Sequence, residues 1–349
     1  MLFLTGIIAT ILVRALYRDL ARYNSDDAMQ DAADESGWKL IHGDVFRPPD
    51  GFFGPMFLSV FVASGAQLLA TTTIVIIFAV LGFLSPANRG GLLTTVVVVY
   101  VLMGAVGGFT SARLYKRFQG KAWKRNTFLT ASAFPVTAFF LYLLGDFVNW
   151  AEKSSAAVPF STILALFALW LGVMVPLTFL GSYYGFTRGE STTPVPISPV
   201  RRLIPPQPFY LHIIATSIVG GLLPFGAAFV EVYYIMSSIW LADFYYLFGF
   251  LLIATAVTVI TSAEVSICMV YLSISAEDSR WWWRGFLTAA SSGVYLFLYG
   301  AIYWYTRLEI THLPSVTIYF IYMFLASWAF FLVTGSVGFL ASHWFMHLI

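Results

Sequence analysis

The sequence predicts an all-α fold, a single polytopic integral membrane domain of nine transmembrane helices spanning residues 1–349. Three observations predict it. The composition is 59% hydrophobic and only 10% charged, and the mean hydropathy is +0.80, outside the range of soluble globular chains. Nine apolar segments lie near the length, about 20 residues, that crosses a bilayer core as helix. The connections between those segments alternate in basic charge.

In order, the segments are Leu2–Tyr17, Met56–Leu84, Leu92–Tyr115, Phe128–Phe147, Val158–Phe186, Ile213–Ile239, Phe244–Leu272, Gly285–Thr306 and Val316–Ile349. The first is short for a span. Of the 19 Lys and Arg residues, only Arg89, Lys153 and Arg307 fall in even-numbered connections. Basic residues concentrate in cytoplasmic loops, so the odd connections face the cytoplasm, the chain start is lumenal and the chain end cytoplasmic.

The longer cytoplasmic connections are residues 18–55 and 187–212. The first mixes the acids Asp26, Asp27, Asp31, Asp34 and Glu35 with WKLIHGDVFRPPDGFFG and reads as a solvated linker with a small amphipathic piece. The second is rich in Pro and is expected to be extended. Pro135, Pro176 and Pro224 lie inside spans and each removes a backbone hydrogen bond, so kinks are expected unless neighbours re-satisfy the freed carbonyls. The small residues of GAVGGFTSA (Gly104 to Ala112) and Gly220–Gly221 read as close-packing faces.

Several function classes lose support at once. A net charge of +2 and the lack of a basic, aromatic-interleaved patch argue against a nucleic-acid partner. The single cysteine, Cys268, excludes an intrachain disulfide. No P-loop, HExxH, GxSxG or dinucleotide fingerprint occurs, so neither an enzyme nor a cofactor is expected. His343 and His347 share one helix face but lack a third ligand, and the acidic run lacks the spacing of a calcium loop, so no metal is expected.

The candidate intramembrane functional residues are Glu231, Glu264 and Pro224. An acid in a span faces a partner, a cavity or a packed interface. At 1.5 Å per residue each carboxylate lies about 12 Å from opposite ends of antiparallel helices, so the two differ in depth by roughly 15 Å and do not share a proton. Three readings stay open for them: structural locking, steps in a proton or cation path, and recognition of client helices. Glu264 has Thr261 and Ser262 within reach on its own helix. Arg280, Trp281, Trp282, Trp283 and Arg284 precede the eighth span and form a candidate lipid-headgroup anchor, with the arginines meeting phosphates or the Glu277–Asp278 pair.

Seven blocks carry a family resemblance: ARYNSDDAMQDAADESGWKLIHGDVFRPP, GFLSPANRGG, SSAAVPFSTILALFALWLGVMVPLTFLGSYYGF, IPPQPFY, GGLLPFGAAFVEVYYIMSSIW, AEDSRWWWRGF and TGSVGFLAS. Lying in order along nearly all 349 residues, they resemble the nonaspanins, the transmembrane-nine or endomembrane protein 70 superfamily. The resemblance implies a lumenal domain ahead of the spans and a short cytoplasmic tail read by coat proteins. The chain reads as the membrane domain without either.

It further implies residence in Golgi and endosomes, with cycling to the ER or cell surface. The implied function is sorting or escort of multi-span membrane proteins, including those with glycine-rich helices. Lateral recognition of client helices in the lipid bilayer is the mechanism this suggests, with the Gly-rich faces and the membrane acids as contact points. The alternative is a secondary transporter or channel-like protein for small solutes, lipids or ions that uses the intramembrane carboxylates.

Overall fold

The computed structural model describes residues 2–23, 41–49, 54–84, 89–153, 158–189, 195–240, 248–308, 310 and 312–348. The acidic run of the first connection and residues 241–247, which include the connection between the sixth and seventh segments, lie outside them. Among the described residues there is no strand, and the all-α class holds.

Among the described residues, nine helical stretches follow the nine predicted segments. They are α1 (Leu2–Tyr23), α2 (Pro55–Val80), α3 and α4 (Arg89–Leu102 and Gly104–Arg117), α5 (Trp123–Ala151), and α6 with α7 (Phe160–Leu169 and Val175–Thr187). Then come α8 (Ile213–Trp240), α9 (Phe248–Ser275), α10 and α11 (Trp281–Ala290 and Ser292–Arg307), and α12 (Leu313–Leu348). Eight of these stretches are long and apolar enough to cross a membrane; α1, longer than the segment expected from the sequence but carrying Arg14, Arg18, Asp19 and Arg22, is the other. The chain is thus a multi-pass membrane bundle.

The prolines show how the sequence shapes the spans. α5 and α8 run unbroken through Pro135 and Pro224. Pro135 cannot donate to the carbonyl of Ala131, and the indole N–H of Trp170 donates to that oxygen instead, at 2.9 Å. In the fifth span a π-helical turn, Trp170–Met174, carries the chain from α6 into Pro176 at the start of α7. The carbonyl that Pro176 deprives of a donor, four residues back, lies inside that wider turn.

α12 is the central helix and packs against α2, α5, α9, α10 and α11. On one side α2, α4, α5 and α7 form a layer; on the other lie α8, α9, α10 and α11, with α1 outside against α9. Lipid tails are as apolar as leucine, so small residues and polar contacts hold such a bundle rather than hydrophobic burial alone. A Cβ on Gly108 would lie 2.0 Å from the Thr178 carbonyl oxygen, and one on Gly181 2.0 Å from that of Ala105. The α4 and α7 backbones therefore touch. Gly220 and Gly221 meet Thr288 and Ser291 in the same manner.

A buried polar chain reinforces the first layer. Ser59 of α2 donates to Asn126 of α5, which donates to Ser111 of α4, and Ser111 meets Thr130, at 2.7–2.8 Å throughout. Thr127 donates to Ser182 of α7 at 2.8 Å.

Close packing is therefore what both Gly-rich stretches do. The α4 stripe and Gly220–Gly221 are taken up inside the molecule and offer no free face to a client helix. That expectation is corrected.

Candidate functional site

Glu231 and Glu264 occupy different surroundings. Glu231 is buried (3% exposed) and lines a cavity of about 770 Å³ walled by α2, α8, α9, α11 and α12. α2 and α12 meet tightly at Gly65, whose Cβ would lie 2.0 Å from the Leu332 carbonyl oxygen, and the cavity begins one turn beyond, at Leu68. Its lining is mostly apolar but rich in small side chains, with Ala228, Ala254, Ala326 and Ala329 among them. Thr72, Thr255, Thr258, Ser262 and Thr334 add hydroxyls. Thr72 and Ala326 are exposed, so the space is not sealed.

Pro224 lies two turns before Glu231 on α8 and does not line the cavity. Glu264 does not line it either. It is half-buried on α9, and its Oε2 is shielded without a hydrogen-bond donor. The local partners expected for it are occupied elsewhere: Thr261 donates to the Val257 carbonyl and Ser262 to that of Thr258. These back-bonds satisfy the hydroxyls within their own helix.

The structure shows what the candidate headgroup anchor, Arg280, Trp281, Trp282, Trp283 and Arg284, contacts within the chain. Trp281 is 0% exposed and stacks on Trp282 at 4.0 Å between ring centroids, with Phe339 of α12 against both. Their indole N–H groups donate to the carbonyls of Val45 (2.9 Å) and Arg47 (2.7 Å) in the first connection. A buried indole needs an acceptor, and a neighbouring connection supplies it where lipid was expected to. Arg284 is buried too, donating to Ser273 and, at 3.1 Å, to Asp278. Trp283 is half-buried, and only Arg280 remains exposed.

Around this cluster the first, fifth and seventh connections interlock. Asp44 accepts from Arg47 (2.6 and 2.9 Å) and from the Arg202 backbone N–H (3.0 Å). Arg47 also donates to the Ser198 carbonyl, Gln207 to that of Ala276, and Arg202 pairs with Glu277 at 3.5 Å. From the third connection Lys116 reaches the carbonyls of Phe186 and Arg188. The odd connections thus share one face of the bundle, as their common basic charge implied. At that face Arg117 bonds His343, whose ring packs on His347. Among the described residues no third metal-ligating side chain joins the two histidines.

Asp44 was not singled out in the sequence, whereas Asp278 was, with Glu277, one of the two partners expected for the arginines, and it is the one Arg280 and Arg284 meet. Asp44 in HGDVFRPP carries one local signal, a lone acid between glycine and apolar residues. Burial raises its carboxyl pKa, but the Arg202 N–H, the Arg47 guanidinium and the charges of Arg47 and Arg201 outweigh that and hold it below the ordinary 3.8. A depressed folded pKa stabilises the fold fully above about pH 5, and that contribution is lost as the pH falls through the folded value. Asp44→Asn will therefore lower thermal stability at neutral pH and flatten its acid dependence in detergent. An acid limb identical to that of the parent would refute the assignment.

Comparison with known proteins places this architecture. The family model described as endomembrane protein 70 matches residues 1–313. Among curated relatives, transmembrane 9 superfamily member 10 of Arabidopsis thaliana is 47% identical over 348 residues, covering 100% of this chain and 54% of the relative. Human transmembrane 9 superfamily member 2 is 45% identical over 345 residues, covering 99% and 52%, and human member 4 is 42% identical over 347 residues, covering 99% and 54%. The chain spans about half the length of the curated relatives it matches. No solved structure matches. The family match over residues 1–313, with 45–47% identity to plant and human relatives along the whole of this chain, shows that the chain belongs to the endomembrane protein 70 family, the transmembrane 9 superfamily.

Proposed function

We propose that this protein sorts or escorts multi-span membrane proteins through Golgi and endosomes, and that it recognises their transmembrane helices laterally at the Glu231 cavity. One observation carries the reading: a 770 Å³ space inside the spans, unsealed, apolar and dotted with alanines and hydroxyls. Small residues let a helix backbone approach closely, and hydroxyls and an acid offer polar contacts to it. The family's description, endomembrane protein 70, supports the compartment. The face where the odd connections gather would be cytoplasmic, and the chain start would be lumenal. Coat proteins would engage through a tail beyond this stretch.

The transporter reading keeps one observation in its favour, an acid on a cavity wall. Glu264 lies outside that cavity, so the two carboxylates do not line one path. Reconstituted flux abolished by Glu231→Gln would support that reading.

Filling the space tests the escort. Ala326→Trp places a large ring on the exposed rim, where it need not displace the core. The variant should reach its own compartment at parental abundance while client multi-span proteins accumulate elsewhere. Unchanged sorting of every client would overturn the proposal.

A further inference from the structure

A second cleft, of about 360 Å³, opens where the odd connections meet the ends of α8 and α10. Arg47, Arg201, Arg280 and Arg284 line it with His212, against two acids, Asp44 and Asp278. Both acids already have donors. Asp44 accepts from Arg47 and the Arg202 N–H, and Asp278 from Arg280 and Arg284. The arginines outnumber them.

Donor capacity is left over in the deepest of these arginines. Arg284 is 5% exposed; its two terminal nitrogens reach Ser273 and Asp278, yet its Nε is shielded with no acceptor. Buried donors are almost always paired, so an unmet one in a cationic cleft points to an acceptor from outside the chain. Arg280 has its side chain 65% exposed, and Arg201 is exposed as well. Planar guanidinium forks match phosphate oxygens better than a point charge does. The wall also includes Ile213 and Trp282, which stand at the beginnings of the sixth and eighth spans. The cleft therefore lies at the level where lipid phosphates lie.

We propose that this cleft binds a phosphate-bearing ligand, held by exposed Arg201 and Arg280 and by buried Arg284. Its position favours an anionic lipid headgroup over a free phosphate. The binding is through arginines in a built cleft, not through tryptophans in the interface.

The test uses the full chain in detergent and four probes: dioctanoyl phosphatidic acid, dioctanoyl phosphatidylcholine, glycerol 3-phosphate and inorganic phosphate. Native mass spectrometry and thermal shift should show phosphatidic acid bound and stabilising, well beyond phosphatidylcholine. The double variant Arg201→Ala/Arg280→Ala should weaken it about tenfold or more, as expected for lost charge-assisted hydrogen bonds. Binding of the lipid alone identifies a headgroup site; equal binding of glycerol 3-phosphate or inorganic phosphate identifies a free-anion site. Should the double variant unfold, Arg280→Gln alone carries the comparison, because that side chain is exposed. The proposal is overturned if no phosphate probe outbinds phosphatidylcholine, or if the variants bind as the parent does.

Discussion

Replacing Asp278 with Asn will destabilise the bundle by about 3–5 kcal/mol, the range for removing one partner of a buried ion pair. Asp278 is 1% exposed and Arg284 5%, and their 3.1 Å contact is made inside the interlocked connections. Asn keeps the shape and removes the charge, so the Arg284 guanidinium stays buried without its counter-ion. The same carboxylate accepts from the Arg280 backbone N–H at 3.0 Å, which adds the turn into α10 to the loss. Thermal unfolding in detergent measures the effect. The double variant Asp278→Asn/Arg284→Met should recover much of it, because a buried pair replaced by apolar volume is often neutral. A single variant that loses less than about 1 kcal/mol, the scale of an exposed pair, would place this contact in solvent.

The second large effect is expected at Gly65. An alanine there sets its Cβ 2.0 Å from the Leu332 carbonyl oxygen and 2.6 Å from the carbonyl carbon. Both are backbone atoms, so no rotamer change relieves the clash, and α2 must move away from α12. Overpacking of this type costs about 1–3 kcal/mol, and rigid backbone on both sides places Gly65→Ala at the upper end. Gly145 of α5 is the matched control, with nothing within 4 Å of its built Cβ. Gly145→Ala should be neutral or stabilising by up to about 1 kcal/mol, the helix-propensity difference. Equal unfolding temperatures for the two variants would contradict the backbone contact between α2 and α12.

The spans were legible because each is a local property: an apolar run of sufficient length between connections of alternating charge. Even the consequence of Pro135 was legible as a freed carbonyl, although its donor, Trp170, is 39 residues away and belongs to another span. The site was less so. Three tryptophans and two arginines beside a span look the same in sequence whether their indoles meet headgroups or carbonyls. Trp281 finds its acceptor at Val45, 236 residues away, and no local pattern encodes that pairing. Glu231 and Glu264 were visible as costly residues, and the structure gives them different surroundings. Which of them lines a cavity depends on how five helices are rotated about their axes. Apolar spans such as α12 carry no polar stripe that would reveal this. The Gly-rich stretches were read correctly as close-packing faces, but not for whom: a small-residue face is equally suited to a partner inside the molecule and to one outside it.

The central claim is that the Glu231 cavity receives transmembrane helices of other proteins. It is tested most directly by a photoreactive side chain at Ile235, on the cavity wall, compared with one at Phe140, which is 60% exposed on α5. Irradiation of intact membranes followed by peptide mapping should yield, from Ile235, crosslinks within transmembrane segments of multi-span proteins, and these should vanish in the Ala326→Trp background. Crosslinks from Ile235 to lipid alone, or to the same proteins that Phe140 captures, would contradict it.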